Sequence, residues 1–521
     1  MTVSRRSFIQ SAGFSLAGLS MKSESKIAGG FVNESFQQGH LLRDRAAFPA
    51  TRRIEKTQIV IVGGGIAGLS AAWRLQKRGF HDFILLEMCD QAGGNSRWGE
   101  NDITAYPWAA HYVPVPGRKA VYVRELFEDL GVLRDGKWEE RYLCFTPQER
   151  LFLYGRWQEG IEPAVGLTQK DRDQLRRFED QIHAFRATGK FTVPMEVGLS
   201  EDTESLDRIS FADWLREERM DSRIFNWYMN YCCRDDYGAM TDQTSAWAGI
   251  QYFASREPEE KGPLTWPEGN GWIVRRLLER MGSFVRTGQM VHKIVRSGRG
   301  VRVFAGDTGY DAAFVIFAAP TFLAPYLIDG LAPLRTFEYS PWLTANLTLD
   351  HLPKNYGIDP TWDTVFMESP TLGYVDAMHQ TLRTHVDRTV WTFYWALAAG
   401  SPSQNRRSLL STDWNYWKEA ILHDLERVHL DIRQCVSRID IMRMGHAMAR
   451  PTVGSIFSSE RRNLARPQDP ILFANSDLSG FSIFEEAQYR GVVAAEHALH
   501  RLSYISRPEQ FSRLRDAESA K

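Results

Sequence analysis

The stretch IVIVGGGIAGLS, residues 59–70, decides the fold of this chain. It joins a β-branched apolar run to a Gly-x-Gly-x-x-Gly turn and then to an alanine- and leucine-rich segment that is typical of a helix. A second apolar run, residues 83–86, ends at Glu87. The order of strand, glycine turn, helix, strand and acid is the βαβ pattern that binds a dinucleotide.

Each small residue of the turn has a physical role. Gly63 lets the chain leave the strand in a tight turn, Gly65 lets the backbone approach a pyrophosphate, and Gly68 lets the helix pack closely on the strand. The pyrophosphate is expected at the start of the helix, at Ile66 and Ala67. Free N–H groups and the helix dipole favour negative charge there.

Glu87 completes the predicted nucleotide site. Its carboxylate can accept hydrogen bonds from ribose hydroxyls and would repel a 2′-phosphate. The alternative is a plain strand-turn-helix with small residues where the helix crosses the strand. The second strand and its terminal acid favour the dinucleotide site over that alternative.

The residues after the second strand indicate which dinucleotide binds. The segment Gly93-Gly94-Asn95-Ser96 resembles the glycine-pair motif of the flavin-containing amine oxidase and phytoene desaturase superfamily. The resemblance implies that these four residues lie along the ribityl-diphosphate of FAD. Asn95 stands where the superfamily usually has Arg, so one phosphate contact is either lost or supplied by Arg97.

Two further segments continue the resemblance. Residues 107–112 (PWAAHY) are similar to the small-residue stretch beside the isoalloxazine ring, which implies that Ala110 and His111 face the flavin. Residues 287–320 alternate short apolar runs with Gly and Asp, which predicts a hairpin-like block of strands. In the superfamily this block returns to the FAD domain, and its valine, here Val291, meets the adenine through its backbone.

The C-terminal part resembles the superfamily as well. Residues 471–477 (ILFANSD) are similar to a strand that ends in an acid, and Asp477 is the candidate for binding the ribityl chain, with Ser476 an equally good alignment. Asn475 stands where Gly is usual.

The helix that follows is expected to point its N-terminus at the pyrimidine edge of the flavin. Its predicted cofactor-binding residues are Phe484, Glu485 and Ala487, and Glu486 stands where the superfamily usually has Gly. Residues 436–521 contain no Cys, so a thioether from this segment to the flavin is excluded and non-covalent FAD is expected.

The fold class that follows is α/β. We expect a discontinuous, Rossmann-like and NAD(P)-binding-like FAD domain with a parallel sheet, formed by residues 57–114, 269–330 and 465–505. Residues 115–268 and 331–464 are expected to form a substrate domain with helices and a mixed sheet, in which residues 335–350 and 390–396 read as strands.

Composition excludes several other classes of protein. The chain has 521 residues, 43% of them hydrophobic, which is enough for two large cores. Its formal net charge of −1 gives no indication of nucleic-acid binding. The five Cys include no Cys-x-x-Cys spacing, so neither a disulfide scaffold nor a metal site is predicted.

The N-terminus predicts where in the cell the protein is located. Residues 4–10 (SRRSFIQ) place a twin arginine before a short, mildly apolar run, which looks like a twin-arginine export signal. That run is too short and too rich in Gly and Ser to span a membrane. We therefore expect the twin-arginine translocation machinery as a partner and the periplasm as the location. Residues 1 to about 30 are left out of the fold as signal and lead-in.

The resemblance also implies the chemistry. A hydride would pass from a substrate C–H to flavin N5, and an acceptor, oxygen or a quinone, would reoxidise the flavin. Many amine oxidases of the superfamily carry a Lys near N5, but the matching strand here, residues 340–349, has none, and Ala345 or Asn346 takes the position.

The candidate catalytic residues are His446 and Arg450. His446 could act as a base or hold substrate, and Arg450 could hold a substrate carboxylate. Their structural alternatives are a hydrogen-bonded loop His and an Arg paired with an acid. Tyr374, Asp376 and His379 lie in a stretch that could also face the substrate.

Three functions remain open at this point. The first is an exported FAD oxidoreductase that oxidises an amine or an amino acid. The second is a desaturase or dehydrogenase of an apolar small molecule with a quinone-type acceptor, which the missing Lys favours. The third is a non-catalytic protein that FAD only stabilises, which the departures Asn95, Asn475 and Glu486 allow.

Overall fold

The computed structural model describes residues 27–503, except residues 33, 45, 257–261 and 384. The predicted export signal at residues 4–10 lies outside the described residues. The strands, in chain order, are β1 (Ala28–Phe31), β2 (Arg53–Lys56), β3 (Ile59–Val62), β4 (Phe83–Leu86), β5 (Trp98–Glu100), β6 (Ala105–Pro107), β7 (Tyr112–Val113), β8 (Leu133–Arg134), β9 (Lys137–Trp138), β10 (Glu149–Leu153), β11 (Arg156–Glu159), β12 (Leu264–Thr265), β13 (Val285–Arg286), β14 (Val291–Ser297), β15 (Gly300–Ala305), β16 (Thr308–Ala312), β17 (Phe314–Phe317), β18 (Glu338–Leu349), β19 (Asp363–Phe366), β20 (Gly373–Asp376), β21 (Thr389–Ala396), β22 (Val436–Arg450) and β23 (Ile471–Phe473).

The α-helices, in chain order, are α1 (Phe36–Arg43), α2 (Ile66–Lys77), α3 (Val121–Asp129), α4 (Gln169–Ala187), α5 (Met195–Gly198), α6 (Glu204–Asp207), α7 (Phe211–Glu217), α8 (Arg223–Tyr237), α9 (Ala246–Ala254), α10 (Gly271–Met281), α11 (Ala324–Leu327), α12 (Pro402–Ser411), α13 (Trp414–Glu426), α14 (Ile432–Cys435), α15 (Ser459–Ala465) and α16 (Phe484–Arg501).

A five-stranded parallel sheet in the order β13-β4-β3-β17-β23 forms the nucleotide-binding half. Every residue of β3 is buried, because both faces of the strand are covered. Ile59 and Ile61 pack into a core shared with helices α2, α10 and α16. Val60 and Val62 pack on the opposite side against the strands of a second sheet, ordered β14-β15-β16-β2. The α/β fold class is therefore confirmed.

Helices α2 and α16 lie side by side on the parallel sheet, and small residues set their distances. A Cβ atom on Gly68 would lie 1.9 Å from the carbonyl oxygen of Gly63, so α2 presses directly on the turn, as the sequence predicts. A Cβ atom on Gly491 would lie 2.1 Å from the carbonyl oxygen of Ala67. The two helices therefore pack almost backbone to backbone.

An eight-stranded mixed sheet in the order β1-β22-β18-β21-β20-β19-β10-β11 forms the other half. Its centre is the long antiparallel trio β22, β18 and β21, in which Ala345 pairs with both Ile441 and Phe393. The strands predicted at residues 335–350 and 390–396 are thus both present. The exact boundaries of the two domains stay a prediction.

The N-terminal lead-in is shorter than the sequence predicts. β1 pairs in parallel with β22, from Ala28 opposite Arg438 to Phe31 opposite Ile441, and α1 follows it. The expectation that residues 28–30 lie outside the fold is therefore wrong. The sequence of this strand has no alternating apolar pattern, so it could not be predicted from the pattern. Main-chain pairing at the edge of the sheet holds the strand in place.

Helices α4, α7, α8 and α9 form a separate core beside the mixed sheet, rich in Phe, Trp and Met. α4 begins with a capping box between Thr168 and Asp171, and Ser210, the N-cap of α7, accepts a hydrogen bond from the Asp213 N–H. Across the described part of the chain, no helix is both long enough and apolar enough to span a membrane.

Candidate functional site

The predicted pyrophosphate site lies where the two glycine-rich turns meet. The Gly93 N–H donates to the carbonyl oxygen of Gly64 over 2.8 Å, and a Cβ atom on Gly94 would lie 3.2 Å from the Cα atom of Gly65. The N-cap of α2 is Gly65, which offers no side-chain cap, and the first turn of the helix contains no acid. The first N–H groups of this helix are thus left for a ligand with negative charge.

Glu87 occupies the position that the sequence predicts. Its Oε2 accepts a hydrogen bond of 2.7 Å from the Gly64 N–H, and its Oε1 accepts one of 2.8 Å from the Cys89 N–H. Each carboxylate oxygen has a second lone pair, so the fixed side chain can still accept from ribose hydroxyls. The uncapped helix, the close glycine turns and this acid together fit the diphosphate and ribose of FAD.

Asn95 does not replace the missing Arg in any direct way. Its Nδ2 donates to the carbonyl oxygen of Ala447 over 2.7 Å, which ties the glycine-pair segment to β22. Arg97, the suggested substitute, donates from Nε to the carbonyl oxygen of Gly94 over 3.1 Å. Ser96 is buried, and its N–H donates to Gly93.

Side chains of the mixed sheet hold the segment 107–111 through hydrogen bonds to its backbone. Three side chains bind consecutive carbonyl oxygens: Asn346 that of Pro107 at 3.1 Å, Thr344 that of Trp108 at 2.7 Å and Tyr394 that of Ala109 at 2.8 Å. Thr344 and Asn346 lie two residues apart on β18, so they share one face. β18 is the strand that matches the Lys-bearing strand of many amine oxidases, and on this face it carries Thr344 and Asn346 instead of a Lys. Ala345 packs into the core on the opposite face of the sheet.

A cavity of about 340 Å³ opens between residues 109–112, the mixed sheet and the helical layer. That volume suits a small-molecule ligand. The cavity brings together five of the predicted cofactor residues: Asn95, Ala110, His111, Phe484 and Glu485.

His111 is a titratable group within the predicted flavin segment. Its ring centroid lies 4.7 Å from that of Tyr394 and 5.4 Å from that of Trp362. Burial lowers the pKa of His111 to about 4, so its imidazole is neutral at physiological pH. The Nδ1 atom lies 3.3 Å from the carbonyl oxygen of Ala109. Because a carbonyl only accepts, that nitrogen carries the hydrogen and Nε2 is left as an acceptor.

Neither catalytic candidate lines the cavity. His446 stacks on Phe322 with ring centroids 4.2 Å apart, and burial followed by the charge of Arg406 lowers the pKa of His446 to about 3. Arg450 is buried and donates to Glu338 over 3.2 Å and to Gln243. Arg450 therefore matches its structural alternative, an Arg paired with an acid, whereas His446 lies on β22 and not on a loop. The catalytic roles that the sequence predicts for the two residues stay predictions.

The remaining predicted residues lie beside the cavity. Val291 is buried at the start of β14, and Ala487 packs on the helical core of the parallel sheet. The Oδ2 atom of Asp477 accepts from the Thr321 N–H over 2.8 Å and from the Tyr339 hydroxyl over 2.7 Å. This carboxylate thus already has two protein donors, and Asp477 does not line the cavity.

The stretch around Tyr374 also lies elsewhere. Tyr374 stacks on Trp391 with ring centroids 3.9 Å apart and bonds His429 over 2.7 Å. Asp376 accepts from the Met378 N–H over 2.9 Å, and His379 Nε2 lies 2.8 Å from the carbonyl oxygen of Phe145. These three predicted residues support the mixed sheet rather than the cavity.

The sequence analysis missed a group of acids in the cavity wall. Asp235 and Asp236 come from the end of α8, and Asp363 comes from the start of β19. Burial, followed by the charge of Asp236, raises the pKa of Asp235 to about 7. Burial, followed by Glu149 and Asp235, also raises the pKa of Asp363. The adjacent acids in the otherwise aromatic run of α8 were the available signal.

Comparison with known proteins places the chain in a family. The sequence profile of the flavin containing amine oxidoreductases matches residues 66–325. AofH of Mycobacterium tuberculosis, named as a flavin-containing monoamine oxidase, is 26% identical over 275 residues, which cover 50% of this chain and 56% of AofH. The 15-cis-phytoene desaturase of Narcissus pseudonarcissus is 27% identical over 188 residues, 34% of this chain and 31% of that enzyme. The chain thus matches at most about half the length of these relatives.

Solved structures show the same fold over a larger share of the chain. Putrescine oxidase bound to putrescine has a TM-score of 0.66 at 17% identity, covering 86% of this chain and all of that one. A fatty acid isomerase from P. acnes has a TM-score of 0.59 at 15% identity, covering 85% of this chain and 98% of that one. Family membership implies a flavin cofactor, in agreement with the uncapped helix and Glu87. The chain belongs to the flavin-containing amine oxidoreductase family.

Proposed function

We propose that the protein is an FAD-dependent oxidoreductase that oxidises an amine or an amino acid. The observation that carries the proposal is the polar lining of the cavity. A neutral imidazole, His111, lies beside the predicted flavin segment, and the carboxyl groups Asp235, Asp236 and Asp363 lie in the same cavity. A buried carboxyl group needs a hydrogen-bonding or cationic partner, which a substrate nitrogen can supply and a hydrocarbon cannot.

The cofactor would be held without a covalent bond. Residues Gly65, Glu87, Gly94 and the first turn of α2 would hold the diphosphate and ribose, and residues 109–111 would lie beside the ring. FAD, when bound, supplies the acceptor for the hydride that leaves the substrate carbon. The acceptor for the electrons that follow would be oxygen or a quinone.

The residues of the cavity position the substrate and exclude water. The reacting nitrogen must be neutral, because its lone pair forms the C=N bond as the hydride leaves. The Nε2 atom of His111 is an acceptor within residues 109–111 and can accept a hydrogen bond from the N–H of a neutral substrate amine. Tyr394 and Trp342 give this end of the cavity apolar walls.

A second candidate function is a desaturase or dehydrogenase of an apolar substrate with a quinone-type acceptor. The observation that favours it is the face of β18, where Thr344 and Asn346 bind backbone carbonyls and no Lys is present. The aromatic share of the cavity wall, including Phe191, Tyr252 and Phe481, would also suit such a substrate.

Flavin absorbance distinguishes the two candidates. The purified holoprotein is mixed anaerobically with polyamines, aromatic amines and L-amino acids, one at a time. Bleaching by one of them establishes amine oxidation, and readmitted air then shows whether oxygen is the acceptor. If dithionite bleaches the flavin and none of these compounds does, the desaturase function takes its place. The variant Gly65→Asp, which puts a carboxylate at the pyrophosphate site, is expected to purify without flavin.

Export to the periplasm is part of the proposal and is supported by residues 4–10. The double variant Arg5→Lys with Arg6→Lys keeps the charge and removes the twin arginine. We expect it to leave the protein in the cytoplasmic fraction of a cell whose wild-type protein is periplasmic. Equal distribution of the variant and the wild type would argue against a twin-arginine route.

A further inference from the structure

The N-terminal segment is tied to the mixed sheet. We call residues 27–32 and 34–43, which include β1 and α1, the N-terminal strap. β1 pairs with β22, and the Val32 N–H extends this pairing with a further bond of 2.9 Å to β22. Glu34 then accepts a hydrogen bond of 2.5 Å from Nε of Arg443. The two side chains of this ion pair are only 17% and 7% exposed, so salt screens their attraction little.

The other end of the strap belongs to the nucleotide-binding half. Leu42 in α1 is buried and lies in the hydrophobic core that contains Val62 and Leu86. These two residues end β3 and β4, directly before the glycine turn and Glu87. α1 also packs on α11, whose apolar side chains belong to the same core. The strap therefore joins the two halves of the molecule.

Between its two ends the strap meets the predicted ribose site. Ser35 is the N-cap of α1, but its side chain makes no capping bond. Its hydroxyl group makes a hydrogen bond to the side chain of Cys89 instead. Cys89 donates its N–H to Glu87, and its carbonyl oxygen accepts from the Gly288 N–H over 3.0 Å. Cys89 thus links the predicted ribose acid to the segment that leads to Val291, the predicted adenine contact.

The cofactor site and the strap span the same two halves. The first turn of α2 and Glu87 fit the diphosphate and ribose, whereas residues 109–111, predicted beside the flavin ring, are bonded to the mixed sheet. The described residues of the strap contribute nothing to the wall of the cavity. The strap is therefore placed to act on the cofactor rather than on the substrate.

We infer that the N-terminal strap retains FAD, and that its detachment from Arg443 and Cys89 is the opening step through which the cofactor leaves. The inference rests on the proposed non-covalent FAD and goes beyond the proposed amine oxidation, because either candidate reaction needs the cofactor to stay bound. Local opening of such a segment costs less free energy than global unfolding, so the strap can detach while both halves stay folded. The rate of FAD release then follows the fraction of molecules with a detached strap.

The first test loosens the strap. Glu34→Gln keeps the shape of the side chain and removes the charge that Arg443 binds. We expect FAD release to become about tenfold faster, the range of a hydrogen bond to a charged group. Release is measured as the rise in free-flavin fluorescence after strong dilution of the holoprotein, and the Tm of each variant reports global stability.

Asp311→Asn is the matched control for Glu34→Gln. It also removes the negative partner of an arginine, here Arg302, within the nucleotide-binding half. The Thr57 N–H, two residues before β3, donates to the carbonyl oxygen of Asp311 over 3.1 Å. Asp311 thus lies at the amino end of that strand, away from the glycine turn. We expect FAD release from this variant at the wild-type rate, even where its Tm falls.

The second test locks the strap. Ser35→Cys places a second thiol beside Cys89, and oxidation with diamide joins the two, as mass spectrometry of a digest confirms. Because the crosslink prevents detachment, we expect the oxidised variant to release FAD more slowly than the same variant reduced with dithiothreitol, by about tenfold or more. The wild type, which has a serine here, should release FAD at one rate under both conditions.

The outcomes of the two tests are distinct. Equal release from oxidised and reduced Ser35→Cys with the crosslink confirmed overturns the strap and leaves the FAD site standing. Wild-type release from Glu34→Gln, or equal acceleration in Asp311→Asn, does the same. Flavin that stays on the acid-denatured wild-type chain overturns the non-covalent cofactor and the role of the strap together. The two variants act in opposite directions, so either one decides the question if the other does not fold or does not crosslink.

Discussion

The hydroxyl group of Tyr394 donates a hydrogen bond of 2.8 Å to the carbonyl oxygen of Ala109. This bond joins β21 of the mixed sheet to the segment that is predicted to lie beside the flavin. Tyr394 also lines the cavity. Tyr394 thus both lines the cavity proposed for the substrate and supports the segment predicted to lie beside the cofactor.

Tyr394→Phe tests that bond. The variant removes the hydroxyl group that donates to the carbonyl oxygen of Ala109. Because this oxygen loses a donor, we expect a loss of about 1 kcal/mol in the free energy of unfolding. We also expect a shifted flavin absorbance maximum, because residues 109–111 would move. Tyr416→Phe, at a side chain that is 60% exposed, is the control and should change neither quantity. An unshifted flavin spectrum in Tyr394→Phe would count against the role of this bond.

Gly491→Ala tests the packing of α16 on α2. The new Cβ atom would meet the carbonyl oxygen of Ala67 at 2.1 Å, so the two helices must separate. Overpacking of this kind costs about 1–3 kcal/mol, and the start of α2 would move with it. We expect the variant to lose flavin during gel filtration, as measured by the ratio of flavin to protein absorbance. Gly39→Ala, in α1 with no atom near the new Cβ, should retain flavin fully.

A pair of histidine variants tests which imidazole serves the reaction. His446→Gln changes a ring that stacks on Phe322 away from the cavity, so the rate of anaerobic flavin reduction should stay close to that of the wild type. His111→Leu removes the acceptor within residues 109–111, and we expect the rate to fall about tenfold or more. The reverse ranking of the two variants would restore the catalytic role that the sequence predicts for His446.

Asp477→Asn distinguishes a structural carboxylate from a cofactor ligand. Its Oδ2 binds the Thr321 N–H and the Tyr339 hydroxyl, so we expect the variant to lose about 1–3 kcal/mol in the free energy of unfolding. The loss should be the same with and without FAD. A weaker Kd for FAD combined with normal stability of the apoprotein would instead place the ribityl chain on Asp477.

The pH dependence of stability tests the buried acids. Asp235 has a pKa of about 7 in the folded chain, against 3.8 as its ordinary value. Between these values the folded state binds more protons than the unfolded state, so the stability that this residue contributes falls as pH rises and is lost above about 7. Asp235→Asn removes this dependence.

The measurement is the difference in Tm between Asp235→Asn and the wild type. We expect the variant to be more stable than the wild type above neutral pH, and the advantage to shrink as the pH falls toward 4 or so. An advantage that grows on acidification would show that burial does not raise the pKa of Asp235.

The sequence predicted those parts of the site that depend on neighbouring residues. The glycine turn, the acid at the end of β4 and the run into α2 all lie within residues 59–87, and their geometry follows from local backbone requirements. The parallel order of the central strands followed from the same pattern. His111, assigned to the cofactor, does lie in the cavity wall.

The parts that depend on register could not be predicted. His446 lies on β22, where the register against β18 shifts between Ser340 and Trp342, so the faces of Met444 to Met448 do not alternate simply. Met444, Ala447 and Met448 line the cavity, and His446 turns away from it. No local sequence pattern indicates such a bulge. Because a shift of one residue exchanges the two faces of a strand, the orientation of His446 could not be predicted.

The acids were missed for a related reason. Asp235 and Asp363 belong to a helix and a strand that are far apart in the chain, and only the tertiary fold brings them to one cavity. Each alone reads as an ordinary polar residue at the end of an element. Their shared burial and mutual charge are properties of the assembled molecule.

Glu486 links α16 to a segment of the cavity wall that lies much earlier in the chain. Its carboxylate on α16 accepts the Met195 N–H over 2.5 Å, across 291 residues of chain, and Met195 lies two residues after the cavity-lining residues 191–193. Residues 191–193 of the cavity wall therefore gain this anchor only after α16, made much later than they are, has folded. A truncated chain would lack both this anchor and the helix that packs on the nucleotide site. Flavin content thus reports whether α16 is present and folded.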